Sequence, residues 1–212
     1  MAMTGFAIFE TAFGACGLVW GEHGIVGSWL HGRTAELTRA QIVRQYPEAR
    51  EAIPPAGIAN VIDGIAGLLA GERRDLRDAV LDMSAVPEFA RRVYEITRTI
   101  PPGETTTYGS IARKMGEAPV RAREVGEALG RNPFAPIVPC HRVVAAGGRL
   151  GGYSAGRQRD EAPPARDRGR LARLDGRPAE RVRSGHLTRG GSRSTGRGTG
   201  NVARRTTGGS RR

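Results

Sequence analysis

The sequence predicts an α/β N-terminal domain built on a three-stranded antiparallel sheet, a mainly α C-terminal domain, and a disordered basic tail. Three observations carry this. Between Phe6 and Trp29 the short β-prone runs FAIFETAF, CGLVW and GIVGSWL are separated by glycine and charged turn residues such as Gly21-Glu22, the pattern of an antiparallel meander. From Thr34 to Gly130 apolar residues recur at helical spacing between proline and glycine breaks. After Gly156 the pattern collapses into Arg, Gly, Ser and Thr runs with Pro163-Pro164 and no aromatic side chain, a composition that cannot bury a core. The expected boundaries are 1–84, 85–156 and 157–212.

Within the first segment, the spacing predicts a helix from Thr34 to Tyr46, capped by Thr34 or Thr38 and closed by Pro47. A second, from Gly57 to Leu69, carries Ile58, Val61, Ile62, Ile65 and Leu68 on one side. In the second segment, Phe89, Val93 and Ile96 mark a helix that ends at Pro101-Pro102-Gly103. The next helix runs from Tyr108 to Lys114, with three threonines before it as candidate caps and Gly116 as its break. PVRAREVGEALG makes a third, with Val120, Val125, Ala128 and Leu129 as its buried side. Two short helices joined through a glycine-containing turn have the outline of a helix-turn-helix.

Charge is concentrated at one end. Residues 157–212 hold sixteen arginines against five carboxylates, so eleven of the twelve net positive charges lie there and residues 1–156 carry only one. Basicity therefore says nothing about the partner of the folded part. Two cysteines exclude a disulfide framework, and no Cys/His spacing suits zinc: Cys16, His23 and His31 do not make four ligands. No metal and no cofactor are expected, and Cys16, in an apolar strand-like run, reads as a core residue. No cationic leader precedes an apolar run and no stretch approaches about 18 apolar residues, which points to a cytoplasmic protein without membrane contact.

The segment NPFAPIVPCHRVVAAGGRLGGYS, from Asn132 to Ser154, places Cys140 between a proline and His141. A thiol reacts as thiolate, and an adjacent imidazole can take its proton directly or through water. A buried structural cysteine is the alternative.

PCHRVV resembles the active-site signature of the O6-alkylguanine-DNA alkyltransferases, or methylated-DNA–protein-cysteine methyltransferases. The resemblance covers roughly residues 84–156: IPPGETTTYGSIA is similar to that family's helix-turn-helix approach, AREVGEALGRNP to its recognition helix and following asparagine, and GGYS to its pocket-closing segment. It implies an N-terminal domain of ribonuclease-H-like type, a winged-helix-like DNA-binding domain, and a monomer acting on double-stranded DNA that carries O6-alkylguanine. O4-alkylthymine stays open as a second substrate. Cys140 would accept the alkyl group by direct displacement, with His141 taking the thiol proton through water. Tyr108 would supply a phenol near the extruded base and its phosphate; an ordinary helix-start aromatic is the alternative. Arg123 would fill the gap left in the base stack, since chemistry on a base in a duplex requires flipping it out; a plain phosphate contact is the alternative. Asn132 would brace the active-site loop, and Tyr153 and Ser154 would close over the base, the Ser154 amide donating to O6. Ala122 suits minor-groove entry, whereas Arg121 and Glu124 are bulkier than the alanines of the family pattern.

The likeness stops after about Gly156. The family pattern continues into a KxxLLxxEG helix whose glutamate polarises the histidine, but here RQRDEAPPARDRGRLARLDG follows, and Pro163-Pro164 forbids a regular helix. Synonymous GC-rich codons for Arg157 to Gly169 exist that, read one nucleotide later, spell A-S-A-T-K-R-R-L-L-A-I-E-G. The reading is a frameshifted C-terminus, which makes the arginine-rich tail a by-product. The competing functions are a lesion-binding protein with lost or weakened transfer, a DNA-binding regulator using only the helix-turn-helix, and a thiol hydrolase.

Overall fold

A computed structural model describes residues 4–32 and 34–146; Tyr153, Ser154 and the whole segment 157–212 lie outside them. The chain opens with β1 (Gly5–Thr11), β2 (Gly14–Gly21) and β3 (Gly24–Gly32). FAIFETAF is not one strand: a turn at Ala12 and Phe13 cuts it, closed by the Thr11 hydroxyl, which donates to Gly14 O at 2.8 Å and accepts from Phe13 N at 3.1 Å. The second turn needs Gly24, whose φ of 127° and approach to Val80 O, 2.6 Å from where a Cβ would sit, exclude any side chain.

The sheet has four strands, not the three expected. After α1 (Ala35–Gln45) the two residues of β4 (Arg50–Glu51) pair parallel with β1, so the order is β3-β2-β1-β4. Two exposed residues of this kind leave no alternation to read in the sequence. Strand β2 is central and covered on both faces, which is why CGLVW is apolar without a break. Cys16 and Leu18 join the larger core, while Val19 packs under α1 with Phe6, Trp29 and Ile42. Gly17 sits on the α1 side, where a Cβ would meet Ile42 Cδ1 at 2.6 Å. Cys16 is fully buried, as a core residue should be.

Of the two candidate caps for α1, Thr34 takes the role, accepting from Leu37 N at 3.3 Å. Thr38 lies inside the helix, fully buried, and donates to Ala15 O and Thr34 O, each at 3.1 Å. Helix α2 (Ala56–Leu69) buries Ile65, Leu68 and Leu69. The chain then returns to the sheet: Ile25 N donates to Val80 O at 2.9 Å and Asp82 N to Ile25 O at 2.8 Å, covering the outer edge of β3.

Helices dominate the rest: α3 (Glu88–Arg98), α4 (Tyr108–Lys114) and α5 (Ala122–Gly130). Thr107 caps α4 by accepting from Ser110 N at 3.1 Å. Gly116, with φ of 77°, makes the turn towards α5. Val120 is not on the buried side of α5: it belongs to the 3-10 turn Pro119–Arg121, falls out of the helix's phase, and is 85% exposed. Val125 and Leu129 are buried as expected, with Ala128 packed against them. A pairing that the sequence pattern did not suggest joins β5 (Thr106–Thr107) parallel to β6 (Val143–Val144). One core cluster runs from Cys16, Leu18 and Ile25 through Ile65 and Leu69 to Val93, Val125, Phe134, Val138 and Cys140. Among the described residues no helix is long and apolar enough to cross a membrane.

Candidate active site

Two pieces of backbone meet at Cys140. The first is the β5–β6 pair, which sets Thr107 opposite Val144 and Thr106 opposite Val143. Tyr108 follows β5 directly and Cys140 lies three residues before β6, so a two-rung ladder brings together residues 32 apart in sequence. The second is the loop from Asn132 to Pro139, which leaves the end of α5 through an Asn132 N to Leu129 O bond of 3.3 Å. Pro133, Pro136 and Pro139 fix φ along this loop and withhold three donors. Such a loop forms no ladder of its own, and side chains share in holding it.

Asn132 supplies that bracing. Its Oδ1 accepts from Phe134 N at 2.9 Å, and its Nδ2 donates to Val138 O at 2.9 Å and to Cys140 Sγ at 3.3 Å. An N–H aimed at sulfur is a contact that a thiolate, the reactive form, accepts better than a thiol. Cys140, His141 and Arg142 form a 3-10 turn, closed by Arg142 N to Pro139 O at 2.9 Å, and all three are buried. Cys140 is 1% exposed. An electrophile must therefore be brought in to the sulfur.

Tyr108 opens α4 half-buried, its ring 3.7 Å from where a Cβ on Gly126 of α5 would sit. Burial first, and the neighbouring Cys140 charge second, push its phenol above the ordinary tyrosine value. Arg123 is set apart from the thiol: it stands on α5 with an 89% exposed side chain, its Nε 3.2 Å from Glu127 Oε1. Tyr153 and Ser154 lie outside the described residues.

Four participants escaped sequence reasoning. Tyr94 on α3 donates to Ala128 O at 2.9 Å and meets Phe134 edge to face at 6.2 Å, tying α3 to both α5 and the loop. Its phenol is raised by burial, then by the Cys140 charge. Arg142 reaches across to donate to Ile100 O at 2.9 Å. Its place within PCHRVV was visible, but its partner was not. Glu127 was visible one turn after Arg123 on the same helix. Arg121 forms ion pairs with Glu117 and Glu124 and lies 4.8 Å over the Phe89 ring, so it clamps the start of α5 to α3 and to the turn. Among the described residues no group of three His, Cys, Asp or Glu side chains could hold a metal ion.

A short helix beginning in a tyrosine, a glycine turn, a second helix with an asparagine just beyond its end, and a proline-framed cysteine stand in one packed unit. Residues 88–166 match the family model described as 6-O-methylguanine DNA methyltransferase, DNA binding domain. A methylated-DNA–protein-cysteine methyltransferase of Mycolicibacterium paratuberculosis is 42% identical over 142 residues, which cover 66% of this chain and 84% of that protein. The crystal structure of Mycobacterium tuberculosis O6-methylguanine methyltransferase superposes with a TM-score of 0.58 at 32% identity, covering 84% of this chain and 97% of that one. The structure of Mycobacterium tuberculosis OGT in complex with DNA gives 0.58 at 30% identity, covering 81% and 92%. With a cysteine braced by asparagine beside a two-helix unit, and likeness over most of the length of these relatives, the chain belongs to the methylated-DNA–protein-cysteine methyltransferase family.

Proposed function

We propose that this chain repairs DNA by direct reversal, moving the alkyl group of O6-alkylguanine in double-stranded DNA irreversibly onto Cys140. The observation that carries the reading is the Asn132 Nδ2 contact to Cys140 Sγ at 3.3 Å, inside a loop framed by three prolines. It holds the sulfur in one place and favours negative charge on it. The Cys140 thiolate attacks the alkyl carbon, the S–C bond forms as the C–O6 bond breaks, and guanine keeps the electron pair. The thiol proton passes through water to His141, its buried neighbour. A thioether is stable, so each molecule acts once.

The helices α4 and α5 supply the DNA contact. Arg123, exposed on α5, fills the space of the extruded base, whose flipping costs roughly a few kcal/mol. Tyr108, held over Gly126, faces the base and its phosphate. Tyr153 and Ser154 complete the set by family likeness alone. The finer assignments belong to the same reading: a ribonuclease-H-like domain at 1–84, a winged-helix-like domain at 85–156, a basic tail at 157–212, and a monomer in the cytoplasm.

Intact-mass spectrometry after incubation with a duplex containing one O6-methylguanine tests this. The expected result is the gain of one methylene, absent in Cys140→Ala. A second reading is favoured by one observation, the lack of the family's Leu-Leu and glutamate pattern in residues 157–169: an alkyl-lesion-binding protein with lost or weakened transfer. No mass gain together with lesion-selective binding would support it and overturn the first.

A further inference from the structure

We infer that Ser28, on the edge strand of the N-terminal sheet, is a positioning residue for Cys140, acting through the loop that carries it. The inference rests on the reading of Cys140 as acceptor. Strand β3 ends the sheet, so its outer edge offers backbone groups without strand partners. Residues 80–82 satisfy Ile25 there. Three residues on, the same edge meets the active-site loop: Ser28 N donates to Pro133 O at 2.8 Å, and the Ser28 hydroxyl lies 2.5 Å from Ala135 O and 3.2 Å from Pro133 O.

The loop's chemistry gives these bonds their weight. Its prolines remove three donors, so the loop's own N–H groups cannot satisfy all of its carbonyls. Phe134 O takes Val138 N, and Val138 O takes Cys140 N and Asn132 Nδ2. The carbonyls on either side of Phe134, those of Pro133 and Ala135, both turn to Ser28. Asn132 thus grips the loop at Phe134 N, Val138 O and the sulfur, while Ser28 holds it from the sheet between those points. The Ser28 N–H meets the first of these carbonyls, and its hydroxyl lies within reach of both. The N-terminal domain then acts as the jig against which the sulfur is aligned.

The test compares Ser28→Thr, which keeps the hydroxyl, with the nearly isosteric Ser28→Val and with Ser28→Ala, in the full chain. Amide exchange is measured on the peptide spanning residues 132–142, which needs no DNA, and single-turnover methyl transfer on duplex containing O6-methylguanine. Val and Ala should exchange the loop amides about tenfold faster and transfer about tenfold more slowly, with lesion binding within about twofold; Thr should restore both. Equal exchange in Val and Thr would overturn the role. So would loss of the fold in Val and Ala but not Thr, because the hydroxyl would then serve stability at large. If the unmutated chain transfers no methyl group, the acceptor reading falls, and the exchange comparison still decides whether Ser28 holds the loop.

Discussion

Replacing Asn132 by alanine should damage both the fold and the chemistry, by amounts the structure bounds. Three contacts disappear: the acceptor for Phe134 N, and the donor to Val138 O and to Cys140 Sγ. Val138 O keeps Cys140 N at 2.8 Å, so it is only half deprived, whereas Phe134 N loses the acceptor that turns the loop. A buried group left without its partner costs about 1–3 kcal/mol and a half-satisfied one less, which gives about 2–3 kcal/mol in all. For a domain of this size the melting temperature should fall by roughly 5–10 °C. Displacing the reacting atom by about 1 Å costs on the order of a hundredfold in rate, so single-turnover methyl transfer should slow by that order. Asn132→Asp separates the two effects. It keeps an acceptor for Phe134 N but points a carboxylate oxygen at Val138 O and at the sulfur, so the rate should fall further than the stability. The assay pairs thermal melting with the time course of mass gain. An Ala variant that melts within about 1 °C of the parent and transfers at the parent rate would refute the bracing argument.

Other outcomes follow from the same contacts. Arg123→Ala should weaken lesion-DNA binding about tenfold in a fluorescence anisotropy titration, and leave melting unchanged because the side chain is 89% exposed. Glu127→Gln should tighten binding about two- to fivefold at low salt by freeing Arg123 and removing a negative charge from α5, with the gain vanishing as salt rises. Gly24→Ala should cost more than Gly116→Ala in a denaturant titration: both have positive φ, but at Gly24 the new methyl meets Val80 O at 2.6 Å, while at Gly116 it enters open space. Because burial raises the Tyr94 phenol, its folded form ionises at higher pH than its unfolded form. Its contribution to stability should be complete below the ordinary tyrosine value of about 10 and be lost as pH rises past it, an alkaline sensitivity that Tyr94→Phe should reduce.

What the sequence determined by itself was local. The helix at 108–114, its threonine cap and its glycine break are each set by residues within a turn of one another, and the structure places them where the pattern did. The same holds for α1 and α2, whose starts and stops are written in Thr34, Pro47 and the spacing of isoleucines. The adjacency of Cys140 and His141 was also visible in the sequence, while Asn132 was named there through the family resemblance alone. Val120 shows where local reading fails, since a 3-10 turn has a different period from the helix it precedes and turns the side chain out. Tertiary structure alone decided the rest: the parallel pairing of β5 with β6 that brings Tyr108 to the thiol, the Tyr94 bond to Ala128 across 34 residues, and the Ser28 grip on the loop across 105 and 107. The physical reason is the same in each case. These contacts join backbone groups far apart in sequence, and which distant residue meets which depends on how the core packs, not on any period along the chain.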